Sequence, residues 1–289
     1  MNRKDAIKTL ATGAAVLSTG LPISSCKEEQ PVDTTLKGNI NHSACRWCYN
    51  SVPIEEFFEK SKDIGLVAID LLAPSQWATA EKYGLTTSMA NPEEFDLSNG
   101  FNDLDLHGAL QETYTEVIES AANAGLKNVI CFSGNSRGLS REQGLENCAV
   151  GLDPLIKLAE KNNIVLTMEL LNSKVNHKDY QCDNSNWGVE LCEKLGSPNF
   201  KLLYDIYHMQ IMEGDVIATI KKNNQYYSHY HTGGVPGRNE INDTQELNYP
   251  AIMKAILDTG FKGYVAQEFL PTREDKMASL KEGVLICDV

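Results

Sequence analysis

Four apolar runs in the second half of the chain each end on a carboxylate or an imidazole. They read Ile-Val-Leu-Thr-Met-Glu169, Lys-Leu-Leu-Tyr-Asp205, Ser-His229-Tyr-His231 and Tyr-Val-Ala-Gln267-Glu268. One acid after an apolar run is commonplace. Four in succession would be costly to bury unless they neutralised a cation. Three carboxylates and one imidazole make a hard, oxygen-rich donor set. It suits one divalent ion, Mn²⁺, Mg²⁺ or Co²⁺ ahead of zinc, with zinc still within its range. The alternative is a row of acids held only by salt bridges.

Such a site needs elements that bring the four residues to one level. From Asn39 onward, short apolar runs alternate with amphipathic stretches about eight times. Strands are expected at 40–47, 66–72, 86–90, 128–132, 164–170, 201–206, 227–231 and 264–269. Several are almost continuously apolar, as parallel strands buried on both faces are. Helices are expected at 53–64, 106–124, 147–162 and 249–259. Three of these run into Gly65, Gly125 and Gly260, which read as helix caps leading straight to the next strand. Alternating β and α units imply a parallel sheet, and eight of them in about 250 residues fit a closed (β/α)8 TIM barrel. The first βα turn has no GxGxxG, so a dinucleotide fold lacks support. In a TIM barrel, functional groups sit where strands end, on one rim. Glu169, Asp205, His231 and Glu268 are therefore the expected metal ligands.

Further polar residues fall on the same rim. Arg238, in a Pro-Gly-Arg loop, can clamp a substrate carboxylate through a two-pronged hydrogen bond, or be a solvated loop arginine. His229, two residues before His231, faces the same way and reads as a deeper partner of the ligands. Asn172, His177, Lys178 and Tyr180 form a polar loop able to close over a small ligand. Gly134, Asn135 and Arg137 follow the fourth strand. Trp47 and Tyr49 end the first strand and offer an apolar wall. Glu213 and Glu246 read as surface acids. Of eight cysteines, Cys26 belongs to the leader described below. The other seven are odd in number and irregular in spacing, so no disulfide framework is expected. The Cys45-Arg46-Trp47-Cys48 pair has no second pair to complete a zinc ribbon, and buried thiols are the preferred reading.

The motifs Tyr204-Asp-Ile-Tyr-His208-Met-Gln, His229-Tyr-His231 with Val235-Pro-Gly-Arg238, Leu247-Asn-Tyr-Pro250 and Gln267-Glu268-Phe269 resemble the hydroxypyruvate isomerases. These belong to the xylose-isomerase-like barrel superfamily, alongside ketose 3-epimerases. The resemblance spans the chain from Asn39 and is strongest from Met168 on. It implies that Glu169, Asp205, His231 and Glu268 hold one divalent metal, that Glu169 and Glu268 also move protons, and that His208 contacts substrate. A metal-dependent isomerase of small hydroxy-carbonyl compounds is the implied activity, with hydroxypyruvate to tartronate semialdehyde as the named reaction. Hydroxypyruvate isomerases often carry Gln where His231 stands, whereas the epimerases carry His. A ketose 3-epimerase or sugar isomerase of the same mechanism is thus the alternative. From other classes, a nuclease-IV-like phosphodiesterase needs more histidines than the six present. A non-catalytic sugar-binding protein would not need both glutamates.

The N-terminus is a different kind of sequence. Arg3, Lys4 and Lys8 precede an apolar, small-residue run from Leu10 to Ile23 that ends Ser24-Ser25-Cys26. A basic region, an apolar region and small residues before a cut describe an export signal. The ending resembles a lipobox, with Cys26 as the lipidated residue, and Arg3-Lys4 resembles a degenerate twin-arginine signal. The expected layout is a signal over residues 1–26, a polar tether over 27–38 and the barrel over 39–289. A bacterial periplasmic protein or membrane-anchored lipoprotein follows, touching membrane only through its lipid. The net charge of −13 repels nucleic-acid phosphates, so the expected partner is a small sugar or hydroxy-keto acid. A homo-oligomer is compatible with all of this.

Overall fold

The computed structural model describes residues 35–289. The expected export signal, Cys26 and residues 27–34 of the tether lie outside the described residues. Eight parallel strands form one sheet: β1 (Asn41–Ala44), β2 (Ala68–Leu72), β3 (Thr86–Ala90), β4 (Asn128–Cys131), β5 (Val165–Glu169), β6 (Phe200–Asp205), β7 (Tyr227–Thr232) and β8 (Tyr264–Gln267). From β2 to β8 each pairs with its sequence neighbour, and β8 also pairs with β1. Between β1 and β2 the ladder shrinks to a Cys45–Asp70 bridge and a bond from Val67 N–H to His42 O at 3.2 Å. The sheet is thus a nearly closed barrel, the expected (β/α)8 fold.

Around it run α1 (Ile54–Ile64), α2 (Pro74–Lys82), α3 (His107–Asn123), α4 (Arg141–Asn162), α5 (Ser185–Leu195), α6 (Ile206–Met212), α7 (Val216–Asn223), α8 (Tyr249–Asp258) and α9 (Lys276–Cys287). The strands are buried on both faces, and β4, Asn-Val-Ile-Cys, is buried throughout. The glycine after α1 is in the left-handed region (φ 104°), where its N–H caps Lys62 O at 2.9 Å. That turn delivers the chain directly into β2.

Two expected boundaries move. The first strand ends at Ala44, and Arg46–Tyr49 forms a 3-10 turn in which Cys48 N–H reaches Cys45 O at 3.3 Å. Trp47 therefore sits on a turn rather than a strand end. α4 starts six residues earlier than the expected 147, because the Ser140 hydroxyl caps Gln143 N–H at 3.1 Å. The seven cysteines of the described residues are all free and buried. No helix among the described residues is long and apolar enough to cross a membrane.

Register explains how the four rim residues converge. Glu169 pairs with Leu203, Asp205 with His231, and His231 with Ala266. Leu203 and Asp205 are two apart, as are Ala266 and Glu268. Since strand side chains alternate between faces, all four residues share the inward face. Glu268 lies one residue past β8, held by its N–H on Thr232 O at 3.2 Å.

Candidate metal centre

The structure brings Glu169, Asp205, His231 and Glu268 together, with one donor atom from each within 4.8 Å of all the others. All four are buried. His231 Nδ1 lies 2.7 Å from Glu268 Oε2 and 3.2 Å from Glu169 Oε1. Neither His231 Nδ1 nor Glu169 Oε1 makes a hydrogen bond, although both atoms are buried. Buried polar atoms without partners are rare because each costs the desolvation of the group. Three convergent carboxylates and an imidazole nitrogen left unsatisfied fit a divalent cation.

Asp205 divides its oxygens. Oδ1 accepts the His208 N–H at 2.9 Å, which caps α6, while Oδ2 lies 3.4 Å from Arg238 Nη2. Glu268 also uses both oxygens: Oε1 accepts from Trp47 Nε1 at 2.8 Å, and Oε2 from Arg238 Nη2 at 2.6 Å. Arg238 is thus not a solvated loop residue. It is buried, with its guanidinium 5.2 Å from the Trp47 ring and 5.5 Å from the Tyr207 ring. Two glutamates in one site end up unlike. Burial works against the charge of Glu268, but Arg238 and His231 outweigh it and hold the carboxyl well below its usual range. Burial, then the charge of Glu268, raises Glu169.

Sequence reasoning missed Asp70, on β2 across the barrel. Its Oδ1 lies 3.0 Å from His231 Nε2 and its Oδ2 2.8 Å from His229 Nε2. Ser88 donates to Oδ2 at 2.6 Å. Burial opposes the Asp70 charge, yet the two histidines beside it hold its carboxyl below the usual carboxylate range. A carboxylate on Nε2 fixes the tautomer that leaves Nδ1 facing the other acids. A signal existed in the sequence: Asp70 is the lone charge within an apolar strand, Ala-Ile-Asp-Leu-Leu.

The remaining expected contacts divide. Trp47, His177 and Arg238 line a cavity of about 460 Å³ that opens above Glu169 and Glu268. His208 is buried behind it, its ring 5.2 Å from that of His177, with Nε2 lacking a partner. Three expected substrate contacts, His208 among them, are therefore not part of its wall. Asn172 is buried and committed to its own loop: Oδ1 caps the N–H groups of Val175 and Asn176, and Nδ2 lies 2.6 Å from His208 Nδ1. It orients His208 instead. Lys178 is exposed and outside the cavity wall, since the loop turns His177 inward and its neighbour to solvent. Tyr180 is buried and donates to Glu169 O at 3.1 Å, bracing the end of β5.

Comparison with known proteins agrees with this fold. The family model described as xylose isomerase-like TIM barrel matches residues 56–284. A human protein named putative hydroxypyruvate isomerase is 32% identical over 111 residues, 38% of this chain and 40% of that protein. The 2-oxo-tetronate isomerase of Cupriavidus necator is 26% identical over 238 residues, 77% of this chain and 89% of the relative. Among solved structures, a family 2 AP endonuclease from Brucella melitensis superposes with TM-score 0.75 at 22% identity, covering 83% of this chain and 96% of its own. A D-psicose 3-epimerase from Clostridium cellulolyticum, solved with D-tagatose, gives 0.69 at 18%, covering 86% and 100%. At these identities the structures establish the shared fold.

Proposed function

Because this chain belongs to the xylose isomerase-like TIM barrel family, we propose that it is an isomerase that shifts a proton within a hydroxy-carbonyl unit. Glu169, Asp205, His231 and Glu268 would hold one divalent cation. The observation that carries the reading is the convergence of these four buried residues, with the donor atoms His231 Nδ1 and Glu169 Oε1 making no hydrogen bond. The names of the relatives, hydroxypyruvate and 2-oxo-tetronate isomerase, support the same class of chemistry.

When bound, such a cation supplies Lewis-acid polarisation of a carbonyl, which acidifies the adjacent C–H. The protein's own groups then move the proton. One glutamate accepts it from carbon, the C–H electron pair becomes the C=C bond of an enediolate, and the carbonyl oxygen takes the charge. The other glutamate returns a proton, to the neighbouring carbon in isomerisation, where the hydroxyl proton passes to the former carbonyl oxygen as the new C=O forms, or to the opposite face of the same carbon in epimerisation. Glu169 and Glu268 stand at the two ends of the four-strand arc, which suits that division. Arg238 and Trp47 fix the Glu268 carboxylate through both oxygens. His208, buried behind the cavity with Nε2 3.7 Å from Asp205 Oδ2, would steady that ligand.

Solvent exchange tests the reading. The metal-supplemented protein in D₂O should place deuterium on carbon in hydroxypyruvate or in one of a panel of ketoses. Glu169→Gln and Glu268→Gln should each slow this by about 10²–10⁴-fold. Exchange by either variant at the wild-type rate would refute the proton-transfer roles.

A further inference from the structure

The cavity offers more wall than a short keto acid can use. At about 460 Å³, it meets Glu169, Glu268 and Arg238 over only part of its lining. Much of the rest is apolar: Trp47, Leu71, Phe95, Leu97, Phe132 and Leu171. Phe95 is 46% exposed and lies flat on Phe132, with centroids 5.3 Å apart and planes 11° apart. Trp47 is 38% exposed. Leaving large rings open to water forgoes the gain from burying them, so their presence at a cavity mouth points to a ligand that covers them.

The wall is built in advance. The segment carrying Phe95 is fastened to the strand ends beneath it by four backbone bonds. These are Asn91 N–H to Leu72 O, Phe101 N–H to Phe132 O, Asn102 N–H to Ser133 O, and Asn135 N–H to Ser98 O, at 2.9–3.2 Å. Polar groups interrupt the apolar surface. Asn91 lines the cavity at 6% exposure, and its Oδ1 is buried without a partner. Gln76 spends Oε1 on Ala73 N–H at 3.1 Å, leaving its amide hydrogens. A purely apolar ligand would strand these amides at a cost, and a three- or four-carbon acid would leave the rings wet.

A closed sugar ring meets both demands, having an apolar C–H face and a rim of hydroxyls. Resting on the isomerase reading, which requires a carbonyl beside a hydroxyl, we propose that the substrate is a six-membered sugar ring carrying a ketone on a ring carbon. Its hydroxy-ketone edge faces Glu169 and Glu268. Its C–H face packs on Phe95, Phe132 and Trp47, and a ring hydroxyl donates to Asn91 Oδ1. Open-chain hydroxypyruvate is then a poor surrogate that fills only the polar end.

The test compares carbon–hydrogen exchange in D₂O for a methyl pyranoside oxidised to a ring ketone and for hydroxypyruvate, using the full-length metal-supplemented protein. The proposal predicts a kcat/KM preference for the ring of roughly 10²-fold or more. Phe95→Ala, at an exposed position that does not threaten folding, should reduce that preference by about three- to tenfold. Asn91→Leu should reduce it as well. Equal or faster exchange of hydroxypyruvate, or a preference unchanged in Phe95→Ala, overturns the ring assignment while leaving the isomerase reading intact. No exchange with either compound overturns both.

Discussion

His231 is held from two sides. Asp70 takes its Nε2 at 3.0 Å, and Nδ1 is left among Glu169 and Glu268. A ligand imidazole whose other nitrogen is anchored binds metal more tightly, and loss of such an anchor costs about 10–100-fold in affinity. Asp70→Asn should therefore weaken divalent-ion binding by about that factor in calorimetry, with an unchanged far-UV circular dichroism spectrum. Unchanged affinity would mean that Asp70 only fills space. At this scale the sequence was informative about rim residues and poor on their supports. Glu169, Asp205, His231 and Glu268 were legible because each ends an apolar run, which is a local pattern. Asp70 pairs with residues 159 and 161 positions away, across the barrel, and no local pattern carries that. Asn172 and Lys178 were misplaced for a related reason. Composition marks a polar loop, but the loop's path decides which side chain turns inward.

Between the strands, the segments after β3 and β4 press backbone to backbone. A Cβ on Gly100 would stand 2.3 Å from both Gly134 N and Ser133 C, atoms that cannot swing aside. Gly100→Ala should therefore cost about 1–3 kcal/mol. For a domain of this size that lowers Tm by about 2–12 °C. A Tm equal to wild type would show that the two segments are not rigidly apposed. Strands were more legible than helices. All eight strands were expected, several of them as almost continuous apolar runs, whereas α2, α5, α6, α7 and α9 were not. α6 begins at Asp205 itself, whose side chain caps His208 N–H, so strand end, ligand and helix start share one residue. α4 was read six residues short because its first turn, Arg-Glu-Gln, is polar and only the Ser140 cap marks the start.

At the scale of the whole domain, the two ends of the barrel are stitched together. Lys37 N–H donates to Asp288 Oδ2 at 2.8 Å, its Nζ donates to Asp288 O at 3.0 Å, and Asn39 Nδ2 reaches Val289 O at 2.8 Å. His42, buried beneath this seam, lies 3.5 Å from Asp288 Oδ1. Burial lowers its pKa from the ordinary 6.5, and Asp288 only partly compensates. The unfolded chain then binds a proton that folded His42 does not, so stability rises with pH through the window below about 6.5 and falls on acidification. His42→Gln should make urea midpoints less sensitive to pH between about pH 5 and 7 than in wild type. An equal slope would show that His42 is not neutral in the fold. All of these features serve one arrangement, in which a near-closed barrel delivers four buried donors to one point. Metal analysis of the purified protein after equilibration with a divalent ion and removal of excess tests that arrangement most directly. One equivalent per chain in wild type, lost in a folded Asp205→Ala, is the predicted result, and equal metal content in the two would contradict it.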